Sequence, residues 1–344
     1  MTGDINAIKQ SVKSLLRIAT FAFVAQTTLF CNDDFMPNNN HSINIVTEND
    51  AYFEPFIKSD EYYTAGHYIS YLSPEFAESP LNLLAGFSHF YDKHFTRFQI
   101  ALKQELHTPN NKYSYDFSAP KDDILFGAGL YANVAFLSRS RDFMEQISFD
   151  IGVMGDYALG KQTQNTIHKW TKNREALGWD FGLKNEILLN LHYGLIWRWV
   201  FIEDFFDVLP SFQISLGNAR TSINAGARFR LGYGLKNDFG YQKLESIFSQ
   251  NVVGDGLKIY AIFGINGSIV GRDAFIEGNT AFLTGNKGVQ SSVRINRYIY
   301  EIEAGFMIGY KYVSIGYLWS NQSKRFREQN HYHKYGSIRL EIMF

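Results

Sequence analysis

The chain has 344 residues, of which 45% are hydrophobic and 16% aromatic, and its formal net charge at pH 7 is −1. A net charge so close to zero gives no electrostatic case for nucleic-acid binding, and a single cysteine, Cys31, excludes an intramolecular disulfide. Past the N-terminus, no apolar run approaches the roughly 20 residues that a membrane-spanning helix requires.

The first 30 residues have the composition of an export signal. Three basic residues, Lys9, Lys13 and Arg17, precede a mostly apolar stretch from about residue 21 to 30. A basic region followed by an apolar region is typical of segments that direct secretion. We therefore predict an export segment at 1–30 and a single outer-membrane domain at 31–344.

From His41 onward, apolar and polar residues alternate in short segments that are separated by turn-forming residues. In 146–153, for example, Ile, Phe, Ile and Val alternate with Gln, Ser, Asp and Gly. Such alternation predicts β-strands with one apolar and one polar face. Periodicity alone does not distinguish a soluble sandwich, which buries its apolar faces, from a membrane barrel, which turns them to the lipid.

The last strand favours the membrane barrel. In 337–344 the apolar residues Ile338, Leu340, Ile342 and Phe344 fall on one face. A final amphipathic strand that ends in phenylalanine resembles the C-terminal assembly strand of bacterial outer-membrane barrels. An apolar edge strand invites aggregation unless it closes a barrel, which is one of only two ways to span a membrane. With the export segment, this predicts the bacterial cell outer membrane as the location.

About twelve strands can be counted, an even number as in single-chain bacterial barrels. They fall at about 41–53, 62–73, 94–107, 124–137, 143–155, 179–199, 208–218, 221–235, 257–270, 290–309, 311–322 and 332–344. The stretch from Gly160 to about Thr171 lacks alternation and suits a short helix. The sequence therefore predicts an all-β fold, a transmembrane antiparallel β-barrel of about 12 strands, with a short helix near the candidate site.

Separate segments of the chain carry residue types that could hydrolyse an ester. Asn49 and Asp50 lie near the end of the first predicted strand, Thr64 lies near the start of the second, and His168 lies on the predicted helix. A carboxylate can hold a hard cation such as Ca²⁺, and a histidine can accept a proton near neutral pH. Glu175 is a candidate second cation ligand. Because no serine occupies a G-x-S-x-G turn, direct attack by water is favoured over an acyl-enzyme.

Each of these residues also has an ordinary structural explanation. Asn49 and Asp50 could form a turn, Thr64 could be a simple strand residue, and Glu175 could be a solvated loop charge. His168 shares a helix face with a polar residue four positions earlier, as many inert pairs do. The co-occurrence of all these residues in one exported barrel favours the hydrolase.

The same segments resemble the outer-membrane lipid A 3′-O-deacylase family. The matching elements are Asn49-Asp50, Tyr63-Thr64-Ala65-Gly66, Gly152-x-x-Gly155 with Gly160, Gln164 and His168, and Gly178-Trp179-Asp180 with Asn185-Glu186. They span roughly the first half of the barrel, and the second half matches in strand pattern only. The resemblance implies a twelve-stranded barrel that removes the 3′-linked acyloxyacyl chain from lipid A in a calcium-dependent reaction at the outer-leaflet rim.

The resemblance also implies roles for individual residues. Asp50 would be a cation ligand, Asn49 and Thr64 would be polar residues that shape the catalytic site, and His168 would be the general base. Lys112, in the loop between strands 3 and 4, lies near the position of a family lysine that is proposed to meet the substrate, so the resemblance implies a substrate-binding role for it. We expect a monomer in the membrane whose partner is the lipid A part of lipopolysaccharide, with no nucleic-acid partner.

Two other functions stay open from the sequence. One is an outer-membrane phospholipase, which would cleave glycerophospholipid esters instead of lipid A. The other is a non-catalytic barrel, either a porin or an adhesin. The class of lipid released would separate the two enzymes, and ion conduction would identify a porin.

Overall fold

The structure, a computed structural model, describes residues 35–52, 62–84, 86–91, 93–110, 112–236, 238–240, 243–244, 256–280 and 288–344. The chain divides into two units, residues 1–36 and 37–344. The export segment predicted at 1–30 lies outside the described residues, so that segment and the boundary after it stay predictions. All the elements below belong to the second unit.

One antiparallel sheet organises this unit. Its strands are β1 (Ser42–Asn49), β2 (Tyr62–Leu72), β3 (Phe95–Thr108), β4 (Gly127–Arg139), β5 (Phe143–Met154), β6 (Glu186–Trp197), β7 (Trp199–Ile202), β8 (Phe206–Gly217), β9 (Arg220–Tyr233), β10 (Leu257–Asp273), β11 (Tyr298–Tyr310), β12 (Val313–Gln322) and β13 (His333–Met343). β13 pairs with β1, and β6 pairs with the second half of β8, so twelve strands close into a barrel. The short β7 pairs with the first residues of β8. The predicted all-β barrel is confirmed.

The helices lie in the connections between strands. Within the described residues the α-helices are α1 (Gly160–Trp170) and α2 (Ala274–Glu277), and the 3₁₀ helices are Asp50–Tyr52, Pro80–Leu84, Phe87–Phe90, Lys112–Tyr115, Gly155–Ala158 and Gly178–Phe181. The first α-helix is the one predicted at 160–171. None of the helices in the described ranges is long and apolar enough to cross a bilayer.

Two predicted strands begin well after their predicted starts. The strand predicted at 179–199 begins at Glu186, because Gly178–Phe181 forms a 3₁₀ turn in which the Trp179 indole bonds to α1. The strand predicted at 290–309 begins at Tyr298, because the residues before it form a loop that Arg294 ties to Glu328 at 2.8 Å. In both places the apolar residues before the strand pack within a loop, so the alternating pattern predicts a strand that is too long.

The two faces of the barrel differ in the way a lipid environment requires. Large apolar side chains on alternate strand positions point outward and are about half exposed, among them Ile100 (53%), Leu102 (51%), Phe149 (46%), Ile151 (52%) and Ile187 (58%). The inner face carries ion pairs, such as Lys103–Asp150 at 3.1 Å and Arg228–Glu303 at 2.8 Å. An apolar exterior around a charged interior is the arrangement of a membrane barrel and the reverse of a soluble sandwich.

The lumen is also filled by described residues of the segment that joins β9 to β10. The Lys243 ammonium lies 3.0 Å from a Glu303 carboxylate oxygen, and the Leu244 amide donates to Glu48 at 2.7 Å. A cavity of about 160 Å³ lies among the lumenal side chains. The described lumen is therefore packed with paired charges and is not shaped as a wide channel.

These features predict a heat-modifiable barrel that does not conduct ions. A closed ring of strand pairs resists SDS until it is boiled, so the unboiled protein should migrate faster on a gel than the boiled one. Circular dichroism in detergent should show mainly β-structure. In planar bilayers we expect no stepwise conductance, and regular conductance steps would instead support the porin.

Candidate active site on the outer wall of the barrel

The candidate residues of β1 lie at the upper end of the barrel, defined as the end where β1 stops and β2 starts. Exposed Ile45 faces outward, and Thr47 and Asn49 follow it on the same face. Glu48, on the other face, is buried and accepts a hydrogen bond from the Tyr63 hydroxyl at 2.7 Å. Because side chains alternate along a strand, Asn49 belongs to the outer wall.

Asn49 forms the turn that ends β1. Its side-chain oxygen accepts from the Ala51 amide at 2.8 Å, which is an Asx turn, and its amide nitrogen donates to the Thr64 carbonyl at 3.0 Å. Asp50, only 2% exposed, begins the short helix that follows. The ordinary explanation as a turn is therefore correct for Asn49, and the same side chain joins the end of β1 to the Thr64 backbone.

Thr64 occupies an irregular position in β2. Tyr63 pairs with His107 and Ala65 with Leu106, so Thr64 is the extra residue of a β-bulge. Its hydroxyl bonds to the Thr108 hydroxyl at 2.6 Å. Bulges re-aim side chains and are common next to active sites. The bulge therefore sets Thr64 apart from a threonine of a regular strand, because it breaks the alternation of side chains at this position.

The helix α1 packs against the outside of the barrel, next to these residues. Gln104 continues the outward face of Ile100 and Leu102 on β3. Its amide nitrogen donates to the Ala158 carbonyl at 2.7 Å, and its oxygen accepts from the Thr163 hydroxyl at 3.2 Å. These two bonds fasten the start of α1 to the outer wall.

A close approach between α1 and β4 explains the glycine at the start of the helix. A Cβ added to Gly160 would lie 2.5 Å from the Ala128 Cβ and 2.6 Å from the Trp179 ring. Ala65, beside Thr64, is buried in the same apolar cluster as Ala128 and Trp179. This cluster therefore brings the helix close to the bulge.

The face of α1 that turns toward the barrel carries Gln164 and His168, which are 3% and 5% exposed. Gln164 accepts from the Trp179 indole at 2.7 Å. His168 Nδ1 lies 2.6 Å from the Arg174 carbonyl oxygen. Because a carbonyl only accepts, Nδ1 carries the proton, and in the neutral ring the lone pair is on Nε2. The imidazole is thus held in the tautomer that a general base at Nε2 requires.

Lys112 lies at the start of the 3₁₀ helix between β3 and β4, and its side chain is buried. Its ammonium lies 5.0 Å from the centre of the Tyr113 ring, a cation–π contact. In the same turn, burial raises the pKa of the Tyr115 phenol above its ordinary value, with Asp123 and Asp122 adding to the effect. This turn therefore holds the Lys112 ammonium against an aromatic ring.

Glu175 lies elsewhere. It is exposed, and it lines a groove with residues of the solvent-facing side of α1, namely Lys161, Gln162, Asn165, Thr166 and Lys169. The geometry does not bring Glu175 together with Asp50 or with the buried face of His168. Its proposed role as a second cation ligand gains no support from the structure.

The donor chemistry around Asp50 fits a hard cation. The carboxylate, the Thr64 carbonyl and the side-chain oxygen of Asn49 are oxygen ligands of the kind that Ca²⁺ prefers. No group of three or more His, Cys, Asp or Glu side chains in the described ranges could hold a metal ion. A cation at Asp50 would therefore take backbone, water or substrate oxygens for the rest of its coordination.

Sequence reasoning missed three residues of this region. Tyr113, Asp116 and Arg174 all contact the segment that holds His168 in place. Asp116 and Arg174 are 58 positions apart, and acids and arginines are common in loops. Nothing in the sequence pattern could have paired them, and only the folded chain brings them together.

Taken together, these contacts describe a membrane barrel with a polar site between its outer wall and a covering helix. The strands separate α1 and the outward side chains it covers from the lumen. The class of protein is therefore a membrane β-barrel whose candidate residues gather where a helix packs on its wall.

Comparison with known proteins identifies the family. The family model "Outer membrane protein LpxR" matches residues 13–344, and the chain belongs to this family. Among solved structures, LpxR from Salmonella typhimurium is similar with a TM-score of 0.71 and 20% identity, over 88% of this chain and all of that one. The β domain of the Bordetella autotransporter BrkA has a TM-score of 0.44 at 9% identity, over 90% of this chain and 100% of that one. Comparison with curated protein sequences gave no match.

Two predictions from the sequence are confirmed by these matches. The family inferred from the segments around Asp50, Thr64 and His168 is the one whose model matches, and the location is the bacterial outer membrane. The similarity to the Salmonella protein supports the twelve-stranded barrel with one extra strand.

Proposed function

We propose that this protein hydrolyses the 3′-linked acyloxyacyl ester of lipid A in the outer leaflet. The observation that carries the proposal is His168, held with its Nδ1 on the Arg174 carbonyl at 2.6 Å, in a site between the outer wall and α1. A lipid could reach this site sideways from the membrane. Membership of the LpxR family supports lipid A as the substrate.

In the proposed reaction, His168 Nε2 accepts a proton from a water molecule, and the oxygen of that water attacks the ester carbonyl carbon. When the tetrahedral intermediate collapses, the bond to the sugar oxygen breaks, and the imidazolium returns the proton to that oxygen. The products are the acyloxyacyl chain, released as its carboxylic acid, and a sugar hydroxyl. Ca²⁺, when bound at Asp50, would stabilise the negative charge that develops on the carbonyl oxygen.

The remaining residues would bind and orient the substrate. Asn49 and Thr64 would give the site a polar patch within the apolar outer surface of the barrel. The ester group of the acyl chain would bind at this patch. Lys112 supplies a positive charge that suits the phosphate groups of lipid A. The Gln164 side chain accepts a hydrogen bond from the Trp179 indole, so it would support α1 and not take part in the proton transfer.

The direct test is mass spectrometry of lipid A from cells that express the wild-type protein or the His168→Asn variant. Wild-type cells should contain lipid A that has lost the 3′-linked acyloxyacyl chain, and the variant should leave lipid A intact. Free fatty acid and lysophospholipid, with unchanged lipid A, would instead identify the phospholipase. Unchanged lipids of both classes would refute the hydrolase.

A further inference from the structure

Asp116 is a buried acid in the loop between β3 and β4 that the proposed reaction does not use. Its side chain is 1% exposed and pairs with the Arg174 guanidinium, which is itself 61% exposed. The other carboxylate oxygen accepts from the Leu177 amide at 3.1 Å. The Asp116 carboxylate therefore contacts both ends of the segment 174–177, through the side chain of Arg174 and the backbone amide of Leu177.

The same segment supplies the carbonyl that orients the candidate base. α1 ends in a Schellman motif, with Lys172 at φ +57° and the Asn173 amide donating back to the His168 carbonyl at 2.7 Å. This reversal brings the Arg174 carbonyl over the His168 ring, where it accepts from Nδ1 at 2.6 Å. Because Arg174 is exposed, the backbone turn alone does not hold its carbonyl in place.

Tyr113 completes the connection. Its hydroxyl donates to the same Arg174 carbonyl at 3.0 Å, and the Arg174 guanidinium lies 5.1 Å from the centre of its ring. The neighbouring Lys112 contacts the ring as well. The Arg174 carbonyl is therefore held by hydrogen bonds from Tyr113 and His168, and its residue is held by the charge of Asp116.

We propose that Asp116 is a positioning residue for His168. Through Arg174 it connects the loop between β3 and β4, which contains Lys112, to the segment that orients the imidazole. This inference rests on the proposed function. Without the carboxylate, Arg174 loses its buried partner and its carbonyl can rotate away from Nδ1. The imidazole then populates the other tautomer, in which Nε2 carries the proton and cannot accept one from water.

The kinetic test compares Asp116→Asn with the wild type. Asparagine keeps the size and the acceptor for the Leu177 amide and removes only the charge that holds Arg174. We expect kcat for acyl-chain release to fall by roughly 10- to 100-fold, the cost of misplacing a catalytic group, with a smaller change in KM. The matched control is Glu328→Gln, which removes the charge from the Arg294–Glu328 pair between the loops before β11 and after β12 and should leave kcat unchanged.

A double variant shows whether Asp116 acts through His168. If it does, adding Asp116→Asn to His168→Asn should cause no further loss, because the group to be positioned is gone. A loss that multiplies with that of His168→Asn would overturn the proposal and assign Asp116 to another step. Each variant is first checked for retained heat-modifiable mobility, so that only folded barrels are compared.

A spectroscopic readout separates this inference from the proposed function. In ¹⁵N spectra of histidine-labelled protein in detergent, the His168 signals are the ones that His168→Asn removes. We expect the wild-type ring to be protonated at Nδ1, and Asp116→Asn to shift the ring toward a mixture of tautomers. If the wild type cleaved no lipid A, the proposed function would fail while this spectrum still decided the positioning. Identical wild-type and Asp116→Asn spectra would overturn the inference.

Discussion

His168→Asn should lower the rate of acyloxyacyl-chain release by about 10²- to 10⁴-fold, the usual contribution of a general base. Asparagine can still donate a hydrogen bond from its amide toward the Arg174 carbonyl, so the loop that the imidazole now contacts keeps a partner. It offers no group that accepts a proton from water near neutral pH. The rate is measured on purified lipid A in detergent at saturating calcium.

The control is His89→Asn, the same substitution at an exposed histidine of the Phe87–Phe90 helix, which should leave the rate unchanged. A near-normal rate for His168→Asn would remove this residue from the mechanism. Asp156, in the turn before α1, would then be the next candidate base.

The strands were predictable because their pattern is repeated and their environment is uniform. Lipid on one side and paired charges on the other force a period of two, which residues 146–153 show plainly in the sequence and in the pairing of β5 with β4 and β6. The helix at Gly160–Trp170 was predictable for the opposite reason, since it lacks that alternation. Asn49 was predictable as a turn residue because an Asx turn is a local interaction.

The loops could not be predicted in the same way, because their contacts are long-range. The aromatic Trp179 continued an apparent strand pattern, but its indole bonds to Gln164 on the helix. Glu175 is close to His168 in sequence, and only the direction of the chain after α1 places it on the exposed side. The ion pair between Asp116 and Arg174 joins two loops that no local sequence pattern connects.

Asp50→Ala should reduce activity by at least about 10²-fold, which is comparable to the loss of an electrostatic group that stabilises a developing oxyanion. Asp50 lies in the turn after β1, outside the strand ladder, so the barrel should keep its heat-modifiable mobility. A chelator should abolish wild-type activity, and Ca²⁺ should restore it. Mg²⁺ should restore it less well, because it requires a stricter six-coordinate geometry than a site with one side-chain carboxylate provides.

A more conservative change tests whether Asp50 acts through the cation. Asp50→Asn keeps an oxygen in the same place and removes the charge, so a cation ligand should show itself as an increase in the calcium concentration needed for half-maximal activity. Glu203→Gln, at an exposed carboxylate in the turn between β7 and β8, is the control and should leave that concentration unchanged. Full wild-type activity in excess chelator would refute the role of the cation. Reduced activity of Asp50→Asn with an unaltered calcium dependence would instead show that Asp50 acts on the reaction by a route other than binding the cation.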